Sequence, residues 1–227
     1  MAEPDSPMPL PCSAVIFDFD GVLVDSNAIK IGAFIELYRA QGPEFCDAVA
    51  TYYRLHGGVS RDRKFRHYEE VLLGRPPDEG RIAELSQRFS ELVEEAVTRC
   101  PPIAGALEFI RRYFGALPMS VASGTPEVEL QRIVERRGWT PLFVEVRGAP
   151  ADKSDLVSEI VRNQRLDPAL TVLVGDALTD LEAARANGLP FIGIVPPGED
   201  NIFPAGTHVE PDLTGLDAAI AGMMNRR

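Results

Sequence analysis

Short apolar runs separated by stretches of helical period set the plan of this chain. Ala14–Phe17 is apolar and partly β-branched, and it stops at Asp18-Phe19-Asp20-Gly21, the pattern of a buried strand ending in a loop. Four more runs follow: 119–122, ending at Ser123-Gly124; 142–146, ending at Arg147-Gly148; 171–174, ending at Gly175-Asp176; and 191–195, ending at Pro196-Pro197-Gly198. Between them the spacing predicts helices over 127–137, 154–165 and 179–187, the last closed by Gly188 in the position a helix C-cap favours. Alternating strand and helix at this spacing predicts an α/β fold built on a parallel sheet with helices on both faces. Right-handed crossovers then bring every strand's carboxyl end to one edge, where ligands bind.

One interval breaks the rhythm. From Asp18 to Ser123 the chain is more than three times as long as the roughly 30 residues of one strand-helix-strand unit. Helical periodicity fills the excess at about 27–41, 44–56, 61–73 and 78–99, punctuated by Gly42-Pro43, Gly57-Gly58 and Gly74-Arg75-Pro76-Pro77. The expected organisation is a core from residues 1–26 and 101–227, with a helical domain of residues 27–100 inserted after the first strand and hung over the ligand edge as a lid. Residues 1–11, with four prolines and no periodicity, read as a leader that trails in solvent or lies along the surface.

Composition narrows the classes. The 227 residues are 45% apolar and 25% charged, ordinary globular proportions that exclude disorder, collagen and coiled coil. A formal net charge of −11 repels nucleic acid and anionic lipid, so an anionic substrate has to meet a local positive cluster or a metal ion. No window approaches the ~20 apolar residues of a membrane span. The first Lys or Arg is Lys30, so the N-terminus lacks the basic flank of a secretion signal, and a cytoplasmic location is expected. Cys12, Cys46 and Cys100 are odd in number and widely spaced, which argues against a disulfide framework and against a thiolate zinc site.

Asp18 and Asp20 stand two apart at a strand end, so both carboxylates can face one side while Phe19 packs away. Carboxylates that close repel unless a cation joins them or one is protonated. That suits a nucleophile beside an acid/base with a divalent metal between them, although Asp-x-Asp-Gly alone is also the composition of a turn. Asp176 sits at a later strand tip with Asp180 one helical turn on, which suits either a hard-oxygen Mg²⁺ site or an acidic helix cap. Ser123-Gly124-Thr125 offers a hydroxyl and backbone N–H groups at a helix start, as phosphate sites do and as ordinary caps do. Lys153 opens the helix after the third strand, where it can neutralise Asp18 and a phosphoryl oxygen; alone it reads as a surface lysine.

Together these elements resemble the haloacid dehalogenase superfamily in type, order and spacing. Asp18-Phe19-Asp20-Gly21-Val22-Leu23-Val24-Asp25-Ser26 is similar to the family's first motif; Ser123 matches the second, Lys153 the third, and Gly175-Asp176 with Asp180 the fourth. The likeness spans about residues 14–195 and puts the family's helical cap where the insert lies. It implies a Rossmann-like core and phosphoryl transfer from a small phosphorylated metabolite. Asp18 is then the nucleophile, and Asp20 is the general acid and afterwards the general base. Mg²⁺ is held by Asp18, the Asp20 carbonyl and Asp176 with Asp180 in support, while Ser123, Gly124 and Lys153 take phosphoryl oxygens. Dehalogenases of the superfamily usually lack the second aspartate, so Asp20 speaks against dehalogenation. Ser154-Asp155 departs from the Lys-Pro of many relatives.

Specificity is expected in the insert, the part free to vary over a fixed chemical edge. Arg63, Lys64 and Arg66 read as a solvated helix face. Ser60-Arg61 after a glycine pair resembles the Gly-x-Ser-Arg turn of β-phosphoglucomutase-like members, which implies that Arg61 meets a second phosphate. That likeness makes a phosphosugar mutase the alternative, but mutase-like members carry a histidine where this chain has Lys30. A non-catalytic phosphometabolite-binding protein would need a lost carboxylate, and none is lost. The expectation is a Mg²⁺-dependent phosphatase for a sugar phosphate or phosphoglycolate-like acid; the pattern fixes no oligomeric state.

Overall fold

The computed structural model describes residues 9–225, so residues 1–8 of the expected leader lie outside the described residues. Strand β1 (Ala14–Phe17) is followed by helices α1 (Asn27–Tyr38), α2 (Pro43–Leu55), α3 (Arg61–Arg66), α4 (Glu79–Arg99) and α5 (Ala106–Tyr113). Strand β2 (Met119–Pro126), helix α6 (Glu127–Arg136), strand β3 (Glu145–Ala149) and helix α7 (Lys153–Gln164) come next. Strand β4 (Thr171–Gly175), helix α8 (Leu178–Asn187), strands β5 (Phe191–Ile194) and β6 (His208–Glu210) and helix α9 (Leu216–Met224) complete the described chain. All strand pairs are parallel, in the order β3-β2-β1-β4-β5-β6.

Alternation along the strands divides the core between the two faces of the sheet. In β1, Val15 and Phe17 join one apolar cluster with Phe109, Ile110, Ile133 and Ile220, while Ile16 joins the other with Leu156, Ile160 and Leu181. In β4, Val172 and Val174 belong to the first cluster and Leu173 to the second. A strand covered on both faces has to be apolar throughout, which is why Ala14–Phe17 stands out in the sequence. The winding runs outward from β1 to β3 and then resumes at β4 on β1's other side. The reversal opens a crevice between the carboxyl ends of β1 and β4, and Asp18 and Asp176 follow those two ends.

The third strand begins at Glu145, three residues later than the apolar run, because Thr140–Leu142 closes a 3₁₀ turn with Pro141 at its start. The helix expected over 61–73 is α-helical only to Arg66 and continues from His67–Leu72 with the wider hydrogen bonding of a π-helix. Gly188 caps α8 in the left-handed conformation, with φ 72°. Between β1 and α5, helices α1 to α4 gather on aromatic side chains, with the Phe34 ring centroid 4.3 Å from Phe89, 5.1 Å from Phe65 and 5.6 Å from Tyr68. Trp139 is buried edge-on against Phe19, a core position. No helix of the described residues is long and apolar enough to cross a membrane.

Candidate active site

At the tip of β1 the Asp18 main chain is still in the sheet, donating its N–H to Val174 at 2.9 Å, so its side chain is delivered to the crevice by a fixed strand. Asp18 Oδ1 accepts the Phe19 N–H at 2.7 Å and lies 3.0 Å from Lys153 Nζ. The other oxygen, Oδ2, makes no hydrogen bond among the described residues, which leaves it available to a ligand. Lys153 begins α7 and is buried; its ammonium also lies 2.5 Å from Asp180 Oδ1, while Asp180 Oδ2 accepts the Ala177 N–H at 3.0 Å and fixes the first turn of α8. Burial opposes charge on Lys153, but the Asp18 and Asp180 carboxylates outweigh it and hold the ammonium above its ordinary range.

Asp18, Asp176 and Asp180 each offer a ligand atom, and the three atoms lie within 4.8 Å of one another. Burial, with the like charges of Asp180, Asp176 and Asp20 adding to it and Lys153 opposing, pushes the Asp18 carboxyl well up. Burial and Asp180 push Asp176 up to about 7, against a hydrogen bond of 2.8 Å from Asn27 Nδ2. Three mutually repelling oxygen donors with one lysine among them fit a hard divalent cation better than they fit one another. Gly21 is required beside them: its φ is +77°, and a Cβ there would stand 2.0 Å from Asp176 Oδ2.

Asp20 turns to a different set of partners. Its carboxylate accepts from Lys30 Nζ at 2.5 Å, Ser26 Oγ at 2.6 Å and Thr125 Oγ1 at 2.9 Å, with Ser123 Oγ at 3.4 Å. Lys30 also donates to Thr125 Oγ1 at 2.7 Å. Burial alone would raise the Asp20 carboxyl, but the Lys30 charge and the hydrogen bonds from Lys30, Ser26 and Thr125 hold it below its usual range. Ser123 and Thr125 reach the same carboxylate because alternate residues of β2 share a side. Gly124 between them packs so closely under the Gly57-Gly58 loop that a Cβ would stand 2.5 Å from the Gly58 carbonyl oxygen.

Asp18, Asp20, Ser123, Gly124 and Asp176 form the floor of one cavity of about 520 Å³ between the sheet edge and helices α1 to α4, while Lys153 and Asp180 stand behind that floor rather than in its lining. The helical wall differs from the sequence reading. Arg61 borders the cavity, but its guanidinium is spent elsewhere, on Glu129 Oε1 and Ser90 Oγ at 2.6 Å each and over the Phe89 ring. Arg63 and Arg66 pair with Asp152 and Glu79 at the surface, as a solvated face requires. Lys64 is not part of that face: it is 4% exposed, donates to the Val59 carbonyl at 2.6 Å and sits 4.8 Å over the Tyr53 ring. Arg61, Lys64 and Phe65 share the inner side of α3 by helical spacing. Burial, with Lys30 and Lys153 as like charges, pushes the Lys64 ammonium down to about 7.

The reading of Ser26, Asn27, Lys30 and Tyr53 comes only from the structure. Ser26 and Lys30 are four apart at the start of α1, a spacing that would have placed them on one face under Asp20. Arg61→Ala should destabilise the protein by about 3–5 kcal/mol in urea unfolding, because Glu129 is then left buried without its cation. A loss below about 1 kcal/mol would place the arginine in the substrate site rather than in the frame.

A family model described as haloacid dehalogenase-like hydrolase matches residues 12–188. The chain is 29% identical over 187 residues to the phosphoglycolate phosphatase of Synechococcus elongatus, covering 80% of this chain and 82% of that protein. It is 27% identical over 195 residues to the protein CbbY of Rhodobacter capsulatus, covering 79% and 83%. Among solved structures, CbbY from Rhodobacter sphaeroides in complex with phosphate superimposes with a TM-score of 0.75 at 18% identity, over 92% of this chain and 99% of that one. A mutant of that protein in complex with xylulose-(1,5)bisphosphate gives 0.74 at 17% identity over the same shares.

Proposed function

We propose, for a chain that belongs to the haloacid dehalogenase-like hydrolases, a Mg²⁺-dependent phosphatase that hydrolyses a small phosphorylated metabolite through a phosphorylated Asp18. One observation carries the reading: the Asp18 carboxylate stands at the cavity floor with Lys153 on one oxygen and nothing on the other, beside Asp176 and Asp180. The names of its relatives, a phosphoglycolate phosphatase among them, agree with it.

In the first step an Asp18 oxygen bonds to phosphorus as the bond to the leaving oxygen breaks, and that oxygen takes a proton from Asp20, which receives it from the singly protonated phosphate ester as its carboxylate leaves Lys30. In the second, Asp20 takes a proton from water, the water oxygen bonds to phosphorus, and the bond from phosphorus to Asp18 breaks to free phosphate. Ser123, the Gly124 N–H and Lys153 hold the phosphoryl oxygens throughout. Asp20 meets the leaving group only by giving up contacts to Lys30, Ser26 and Thr125, so Lys30 is a positioning residue that keeps the carboxylate charged and aside until a substrate arrives. Mg²⁺, held by Asp18, Asp176 and the Asp20 carbonyl with Asp180 in support, would neutralise the crowded carboxylates and draw charge from the phosphoryl group. Residues 27–100 act as the lid that closes the cavity and chooses the substrate.

The test is phosphate release from a panel of phosphorylated metabolites with Mg²⁺ and with chelator. Chelation should lower release at least about a hundredfold, since such a metal contributes several kcal/mol to the transition state, and Mg²⁺ should restore it. Release that ignores the chelator contradicts the metal site; phosphate moved between hydroxyls of one sugar, with none released, would establish the mutase instead.

A further inference from the structure

We infer that Lys64 reads a second anionic group on the substrate, so that the cavity selects phosphomonoesters carrying a carboxylate or another phosphate over uncharged alcohols of the same size. The inference deepens the phosphatase reading and rests on it.

Four Lys or Arg side chains are buried among the described residues: Lys30, Arg61, Lys64 and Lys153. Three have carboxylates within ion-pair reach, namely Asp20 for Lys30, Glu129 for Arg61, and Asp18 with Asp180 for Lys153. Lys64 has none among the described residues; it has one carbonyl, Val59, and the face of one ring, Tyr53. An ammonium has three N–H donors, so two remain without an oxygen partner. Buried charges are ordinarily paired, because an uncompensated one costs several kcal/mol. Lys64 is unpaired in the wall of an open cavity, where a ligand can bring the missing charge.

Its position fits a second group on a small molecule. From the metal carboxylates a line of contacts runs through Asn27 Nδ2 on Asp176 and the Tyr53 hydroxyl on Asn27 Oδ1 at 3.2 Å to the Tyr53 ring, over which the Lys64 ammonium lies. The acids nearest the ligand do not compete for it, since Asp20 is taken by Lys30 and Asp176 by Asn27. Glu199 and Asp200 are exposed on the cavity rim, as is Arg54. The sequence assigned this role to Arg61; Glu129 occupies that arginine, and the residue one turn on along the same helix face is the cation left for a ligand.

Two esters of one skeleton test it: phosphoglycolate, ending in a carboxylate, and hydroxyethyl phosphate, ending in an alcohol; ethylene glycol bisphosphate serves as the phosphate arm. The native protein should prefer the doubly charged esters in kcat/KM. Lys64→Met should reduce that preference by about 10- to 100-fold, the worth of one charge-assisted hydrogen bond, chiefly through KM, with Lys64→Arg recovering part of it. The larger loss of the two charged arms tells carboxylate from phosphate recognition. Lys64→Met should also melt no lower than the native protein, because a methionine removes an unpaired buried charge. An unchanged preference in Lys64→Met overturns the inference and leaves the phosphatase reading standing. Should the native protein hydrolyse none of the three esters, that reading fails, and calorimetric binding of the same esters to the native and Lys64→Met proteins still decides the inference.

Discussion

Asp18→Asn should lower Mg²⁺-dependent phosphate release by about ten-thousandfold or more, the scale on which removing a covalent nucleophile acts. The amide keeps the volume of the carboxylate but lacks the charge that attacks phosphorus. The fold should survive the change. Lys153 retains Asp180 as its partner, and one of three crowded acids is neutralised where burial and like charge already push it up. Melting within a few degrees of the native protein, together with the lost turnover, would separate chemistry from stability. A variant with a near-native rate removes Asp18 from the role.

Asp20→Asn should behave differently, and the difference identifies the acid and base. For an alkyl phosphate, whose leaving oxygen needs a proton, the loss should be about a hundred- to ten-thousandfold. Nitrophenyl phosphate has a leaving group that departs without help, so its first step should be spared while the water attack stays slow. The expected trace is a burst of nitrophenolate equal to the enzyme, followed by slow turnover. The same loss on both esters with no burst contradicts the acid and base assignment and leaves Asp20 as a positioning group for Lys30 and Thr125.

The fold was legible because its topology is forced by local pattern. Ala14–Phe17 and 171–174 are apolar on both faces, only a sheet covered on both sides accommodates them, and the parallel winding then sets Asp18 next to Asp176. What escaped the sequence had weaker or misleading local signals. Strand β6 is three half-buried residues with no apolar run, and α9 is apolar on too many sides to show a period. Helix α5 did carry its signal, since Ala106, Phe109, Ile110 and Tyr113 are buried at helical spacing in the shadow of the long insert.

Side-chain partners were the least legible part of the site. Nothing in Arg61-Asp62-Arg63-Lys64 says which cation goes inward; that depends on Glu129, 68 residues away, meeting Arg61 before a substrate can. The Lys30 to Asp20 contact was within reach, because the Ser26 and Lys30 spacing is local. Its meaning was not, since Thr125 joins from another strand.

The most direct measurement is chemical trapping of the intermediate. The protein is mixed with a turned-over ester and Mg²⁺, quenched in acid and treated with borohydride, which reduces an aspartyl phosphate to the alcohol homoserine and leaves a free carboxylate untouched. Mass spectrometry of the peptide containing Asp18-Phe19-Asp20 should then find homoserine at position 18 and an intact aspartate at position 20, and aspartate at both positions when chelator replaces the metal. Turnover with no reduced residue, or with the reduced residue at any position other than 18, would contradict the account at its centre.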